Sequence, residues 1–373
     1  MDTINNFVVK KISGDLRQGG SLVTGTIDGD TDLLEFGDNV RLIGKALADF
    51  DDPVYREIIN GHVLETPDFN YGPFSSQASL RVGTANYLMQ GGTLQDVAFT
   101  EQGSPANDHQ IAPTMRISSL FSHIVDSHCN FLFNATTAPD GIIFSTDYDT
   151  ADTAVTRMNV RKSNNFWNAL VNQLGGGEEG GVQFYRPYFR RDNELVYQPA
   201  APFQGSPPSS KGVLTKEHLR GRVRVNIRNA KASERTGQVQ IVAAAGDNSF
   251  FESAFPALQP TDGKIVIKDS GIWADSQARS DILAQNLYDW LTRPYTLNVE
   301  VDPGLILFGD DGQGLDIGDK IQVTYDGPAE DSITGAGVHL NLSSAVFWVY
   351  KYSVTYDVNT KSAKGSLELE ADN

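Results

Sequence analysis

A single cysteine, Cys129, stands in 373 residues. No intrachain disulfide can form, so the fold is not a disulfide scaffold. Basic residues are also short, at 30 Lys+Arg against 47 Asp+Glu, a formal net charge of −17. That balance argues against sequence-general binding of nucleic acid by a basic surface, and against docking on anionic membranes. It favours solubility and limits nonspecific association. No apolar run approaches the length of a membrane span, so no membrane partner is expected. The stretch "MDTINNFVVKKISGDLRQGG" has no charged region followed by a long apolar one, so no secretory signal is expected. Synthesis and folding in a cytoplasm follow as the expectation. Nucleophile motifs are missing too: there is no G-x-S-x-G, no Walker loop and no H-E-x-x-H. Cys129 follows His128, but consecutive helical side chains point about 100° apart, which does not poise a thiolate.

Three stretches imitate ligand sites and fail on inspection. "GGGEEG" (175–180) has the G-x-G-x-x-G spacing of a dinucleotide loop. Such a loop must leave a strand and open a helix. Here the order is reversed. "SNNFWNALVNQL" upstream has helical apolar spacing, and "VQFYRPYF" downstream reads as a strand. "DGDTDLLEFGDN" starts like a calcium loop, but Leu33 and Asn39 hold the positions that need Gly and an acid. His123 and His128 are five apart on one expected helix, where metal pairs use three or four. No metal and no cofactor are therefore expected, and the chain is read as a non-enzyme. The 47 Asp+Glu leave glycosidase-type carboxylate pairs open, because sequence does not measure their separation.

Glycine is abundant, with 35 residues, and β-branched residues recur between turn signals. The fold class expected is mainly β with α+β insertions: small β-barrel-like domains plus a mixed helix/strand domain. Residues 1–90 read as an N-terminal β-barrel-like domain of short strands, with "QASLRVGTANYLMQ" as its last. Residues 91–212 read as a mixed α+β domain, with helices in "MRISSLFSHIVDSHCNFLF" and "NNFWNALVNQL". It ends in a Pro/Ser-rich linker over 198–212. Residues 213–373 read as a C-terminal β-barrel-like domain with one helix, "DSQARSDILAQNLYDWLT", stopped by Pro294.

Two clusters remain. In "RGRVRVNIR", Arg222, Arg224 and Arg228 share strand parity, opposite Val223, Val225 and Ile227. The stripe is either a solvated outer face or a subunit interface that meets acidic groups. Arg190 and Arg191 allow the same two readings. In "AVFWVYKYSVTYDV", Trp348, Tyr350, Tyr352 and Tyr356 share parity. Such a ladder serves core packing, or stacking on sugars.

Taken in order, the segments resemble the tail-hub (baseplate hub) proteins of tailed phages, a family related to the hub of contractile injection systems. The likeness rests on "ISSLFSHIVDSHCNFLF" with "NNFWNALVNQL", on "VQFYRPYFRRDNELVYQPAAPF", and on the helix, strand and "GD-x-I-x-V" order of 275–326. The resemblance implies a tail-hub-like fold and a structural virion protein at the tail tip or baseplate. It implies a homotrimer whose paired barrels match a hexameric tail tube. The implied partners are the tail tube protein, distal tail or baseplate proteins, and a spike or tail-tip protein. Genomic double-stranded DNA would pass through the lumen without specific binding. A β-rich glycan-binding or glycan-cleaving tail protein is the alternative.

Overall fold

The computed structural model describes residues 7–28, 34–45, 55–65, 69–72, 75–91, 109–110, 115–116, 143–144, 154–155, 159–160, 167, 171, 185–199, 210–227, 236–244, 250–258, 263–269, 277–292, 295–309, 314–357 and 359–371. Alternating apolar residues and glycine turns produce antiparallel strands at the N-terminal end. These are β1 (Phe7–Asp15), β2 (Gly20–Asp28), β3 (Asn39–Lys45), β4 (Tyr55–Val63), β5 (Phe69–Gly72) and β6 (Ser75–Gly83), followed by α1 (Ala85–Gly91). Short strands β7 (His109–Gln110), β8 (Met115–Arg116), β9 (Ile143–Phe144), β10 (Ala154–Val155) and β11 (Asn159–Val160) precede the hairpin β12 (Tyr185–Phe189) and β13 (Glu194–Pro199). Then come β14 (Val213–Leu214), β15 (Arg224–Ile227), β16 (Thr236–Ala244), β17 (Phe250–Phe255), β18 (Lys264–Asp269) and α2 (Gln277–Leu291). The chain closes with β19 (Tyr295–Val301), α3 (Pro303–Leu307), β20 (Lys320–Asp331), β21 (Gly337–Asp357) and β22 (Ser362–Ala371).

The architecture is mainly β. A 12-stranded sheet takes strands from both ends of the chain. Five of them, β15, β19, β22, β21 and β20, pair in a closed ring. Closure removes the open edges that a sheet otherwise exposes. The inward positions of this barrel are apolar: Val223, Val225, Leu297, Val299, Ile321 and Leu367 are all buried. β21 is 21 residues long. Its first half pairs with β20 and its second half with β1. One strand therefore carries the barrel sheet into the N-terminal sheet, which continues β1-β2-β6-β4-β3. A separate sheet, β17-β16-β18, packs against α2, where Leu283 and Leu287 are buried and Ile282 is exposed.

Three expectations change. Residues 85–90 of the stretch expected as a strand belong to α1. Its first backbone amide, Ala85 N, donates to Asn193 Oδ1 at 2.9 Å, a cap from far along the chain. Met115 and Arg116, expected to begin a helix, pair as a strand with Ala154 and Val155. Residues 117–142, with His123, His128 and Cys129, lie outside the described residues, as do the "GGGEEG" stretch and residues 200–209 of the expected linker. Trp167 and Val171, in the second expected helix, are helical. The aromatic ladder also breaks its parity. A bulge between Val349 and Lys351 shifts the alternation, and Phe347 through Tyr350 are all buried, as is Tyr352. Of the ladder only Tyr356 is exposed, so no stacking face for a sugar remains. Among the described residues no helix is long and apolar enough to cross a membrane.

Candidate functional site

The tip of the β12–β13 hairpin, Arg190-Arg191-Asp192-Asn193, joins three parts of the chain. A tight turn forms because Asn193 adopts φ 66°, a left-handed conformation that asparagine tolerates. Asn193 N donates to Arg190 O, and Arg190 N donates to Glu194 O, each at 2.9 Å. The tip is inserted between the N-terminal sheet and the Leu315–Lys320 turn that leads into the barrel. Asn60 N of β4 donates to Arg191 O at 2.7 Å, and Phe189 N donates to Gly19 O in the β1–β2 turn at 2.8 Å.

On the barrel side the contact is ionic. Arg190 Nη2 lies 2.9 Å from Asp319 Oδ1, and Lys211 Nζ lies 3.2 Å from Asp319 Oδ2. Arg191 Nε lies 3.8 Å from Asp316 Oδ2, whose oxygen also accepts from Arg191 N at 2.6 Å. Asp316 Oδ1 accepts from Ile317 N, and Asp316 N donates to Asp319 Oδ2, both at 2.8 Å. Burial pushes the Asp316 carboxyl above the ordinary range, against the opposing pull of Arg191 and Arg190. Burial also works against the Arg190 charge, but Asp319 and Asp316 more than offset it and hold it above its ordinary value. Charges so desolvated persist only when paired and hydrogen-bonded.

A neutral histidine completes the joint. Asn193 Oδ1 accepts from Ala85 N, so its Nδ2 faces His62 Nε2 at 3.0 Å. His62 Nδ1 lies 3.2 Å from Gly37 O, a carbonyl that can only accept. The ring therefore donates from Nδ1 and accepts at Nε2. Burial holds His62 below its ordinary value of 6.5, although the Gly37 bond works the other way. The unfolded chain thus takes up a proton near pH 6.5 while the folded one does not. The stability that the neutral ring contributes is complete above pH 6.5 and is lost as pH falls through the lower folded value. The thermal midpoint should drop as pH falls below 6.5, and His62→Gln should flatten that drop. An equal drop in the variant would place the acid sensitivity elsewhere.

The expected interface arginines divide. Arg190 and Arg191 direct their charge into the joint, and Arg191 is only 6% exposed. Arg222 and Arg224 are exposed on the outer face, opposite the buried Val223 and Val225. Arg222 reaches Glu330 at 3.4 Å, on the rim of an open groove of about 510 Å³ that Tyr325 and Pro328 also line. Arg228 lies outside the described residues. No cluster of three or more potential metal ligands occurs among the described residues. The acids of the joint were not identified from sequence, yet a signal was present. The Gly and Asp of "GD-x-I-x-V" are Gly318, packed under the Tyr188 ring, and Asp319. Both carboxylates of the joint are taken up by cations and backbone amides.

No protein-family model matches the chain, and no curated protein matches it. Solved structures do. A tail protein from Neisseria meningitidis MC58 superposes with a TM-score of 0.59 at 14% identity, over 98% of this chain and 93% of that one. The 43 kDa tail protein of prophage MuSo2 from Shewanella oneidensis gives 0.53 at 11% identity, over 98% and 94%. At such identities the likeness is one of fold, and along nearly its whole length the chain has the fold of these tail proteins, as the resemblance in its sequence implied.

Proposed function

We propose that the chain is a structural subunit of a phage-type tail. In this role it is the hub that joins the tail tube to the spike or tail-tip proteins, and it is not an enzyme. The observation that supports this most is the fold shared with two tail proteins along nearly the whole chain. In this reading residues 1–90 and 213–373 supply two β bodies, and residues 91–212 the mixed unit. Three copies form a ring whose six β bodies match a hexameric tube, and DNA passes through its lumen on the way out of the virion. A charge of −17 per chain lets a polyanion slide rather than stick. Arg222 and Arg224, exposed on the outer barrel face, contact acidic groups of a neighbouring copy.

Light scattering on the purified chain should give three times the 40.7 kDa chain mass. Arg222→Glu combined with Arg224→Glu should reduce the trimer fraction severalfold. Both side chains are exposed, so the thermal midpoint should shift by little. A trimer untouched by the double substitution would remove these arginines from the interface. A monomer at every concentration, alone and with a tail tube protein, would overturn the ring.

A further inference from the structure

Strand register aligns outward side chains into rows that cross the sheet, and these rows differ sharply in charge. The first runs Glu330, Arg224, Asn298, Glu368, Lys351, Asp15 across β20, β15, β19, β22, β21 and β1. Acids and bases alternate there, and Lys351 Nζ meets Asp15 Oδ2 at 3.0 Å. About 7 Å along the strands, the next row reads Glu300, Ser366, Ser353, Ser13, Leu22. It is nearly without charge. A further 7 Å or so on, the third row reads Lys364, Thr355, Lys11, Thr24, Arg81. Cations and hydroxyls alternate across β22, β21, β1, β2 and β6, over about 19 Å at ordinary strand spacing.

The third row is cationic beyond its own members. Lys10, at the β1 bulge, and Lys361, in the β21–β22 turn, are exposed beside it. Two carboxylates lie among these cations, and Asp302, one step past the Val301–Gly365 pair, is held by Arg220. Glu65 pairs with Arg81. Asp357, close enough to Lys364 to feel its charge, accepts from Asn359 N and Thr360 N within its own turn. Lys11 and Lys364 are exposed, as Thr355 is between them. In a chain of net charge −17, this concentration of positive charge is local and comes from segments about 70 to 350 positions apart in sequence.

We propose that this row contacts the phosphodiester backbone of double-stranded DNA. Alternating ammonium groups and hydroxyls are the donors that phosphate contacts use, and they carry no sequence information. The middle row, charged only at Glu300 on its β19 end, keeps the carboxylates of the first row away from the phosphates. The acidity of the rest of the chain keeps the contact weak and easily broken by salt. That DNA is the polyanion encountered rests on the tail-channel reading above. The row itself rests on register and exposure.

The test titrates the full chain into a labelled duplex of about 20 bp between roughly 20 and 200 mM salt. The logarithm of affinity should fall with that of salt at a slope of about −2 to −3, for two or three phosphates. Lys11→Gln with Lys364→Gln should weaken binding at least about tenfold at the lowest salt and reduce the slope by about 2. Lys351→Gln with Lys216→Gln makes the same change in net charge away from the row and should leave binding as it was. No binding of the unmodified chain, or equal losses in both double variants, would overturn the proposal. So would a loss of trimer mass in the Lys11/Lys364 variant with DNA affinity unchanged, which would make the row a protein contact. The ring is read separately, by mass without DNA: a trimer whose DNA binding is indifferent to the Lys11 and Lys364 substitutions sinks the row alone. A monomer with row-dependent DNA binding sinks the ring alone.

Discussion

Asp316→Ala is expected to destabilise the protein by about 3–5 kcal/mol, because it removes one partner from a buried ionic joint and leaves the other behind. Arg191 stays buried beneath the N-terminal sheet with its nearest carboxylate gone. Arg191 N and Ile317 N, which both donate to Asp316, lose their acceptors inside the protein, where an unmade hydrogen bond carries its full desolvation cost. Urea unfolding followed by tryptophan fluorescence measures the loss. A companion variant separates its parts. Asp316→Leu with Arg191→Met removes both charges, and apolar replacement of a whole buried pair is often close to neutral. The double variant should recover the electrostatic share of the loss but not the share due to the two backbone amides. A single variant within about 1 kcal/mol of the parent would show that water enters the joint and that it does not hold the two sheets together.

Gly318→Ala is expected to cost about 2–5 kcal/mol, from backbone strain and overpacking together. Gly318 sits at φ +80°, and an added Cβ would lie 2.1 Å from the Tyr188 hydroxyl and 2.5 Å from its ring carbon Cζ. Tyr188 is buried, so its ring has nowhere to go. The control is Gly335→Ala. Gly335 has φ +70° with nothing within 4 Å of an added Cβ, so that variant carries the backbone term alone, about 1 kcal/mol. Equal losses at the two sites would mean that the Tyr188 contact yields easily. Because Gly318 N also donates to Val349 O, the larger loss should come with a loosened start to the β21 bulge. Faster amide exchange at Val349 would report it.

Most strands were legible because their cause is local. In "RGRVRVNIR" the alternation alone puts Val223 and Val225 inside and Arg222 and Arg224 outside, and the barrel keeps that assignment. The hairpin over 185–199 and the helix over 277–291 follow in the same way from turn residues and period. Failures occur where a distant group decides. "ANYLMQ" has the look of a strand end, yet it coils into α1 with its first amide capped by Asn193. The ladder in β21 kept strict parity only on paper, because one bulge turned Val349 and Tyr350 inward together. Arg190 and Arg191 resembled any exposed pair, and nothing near them in the chain announces Asp316 and Asp319.

The sequence by itself determined the β class, the lack of a disulfide framework and the alternation of strands such as β15 that carry no bulge. It also carried, in the order of its segments, the resemblance to tail hubs. These depend on composition and on neighbours a few residues apart, where side-chain period and turn geometry act directly. The tertiary structure alone decided how the charge is used. Register set Lys11, Arg81 and Lys364 in one row, and the hairpin tip carried Arg190 and Arg191 to two buried aspartates. Coulomb energy and desolvation depend on distance and burial in space, and both are settled only when strands remote in sequence come to lie side by side.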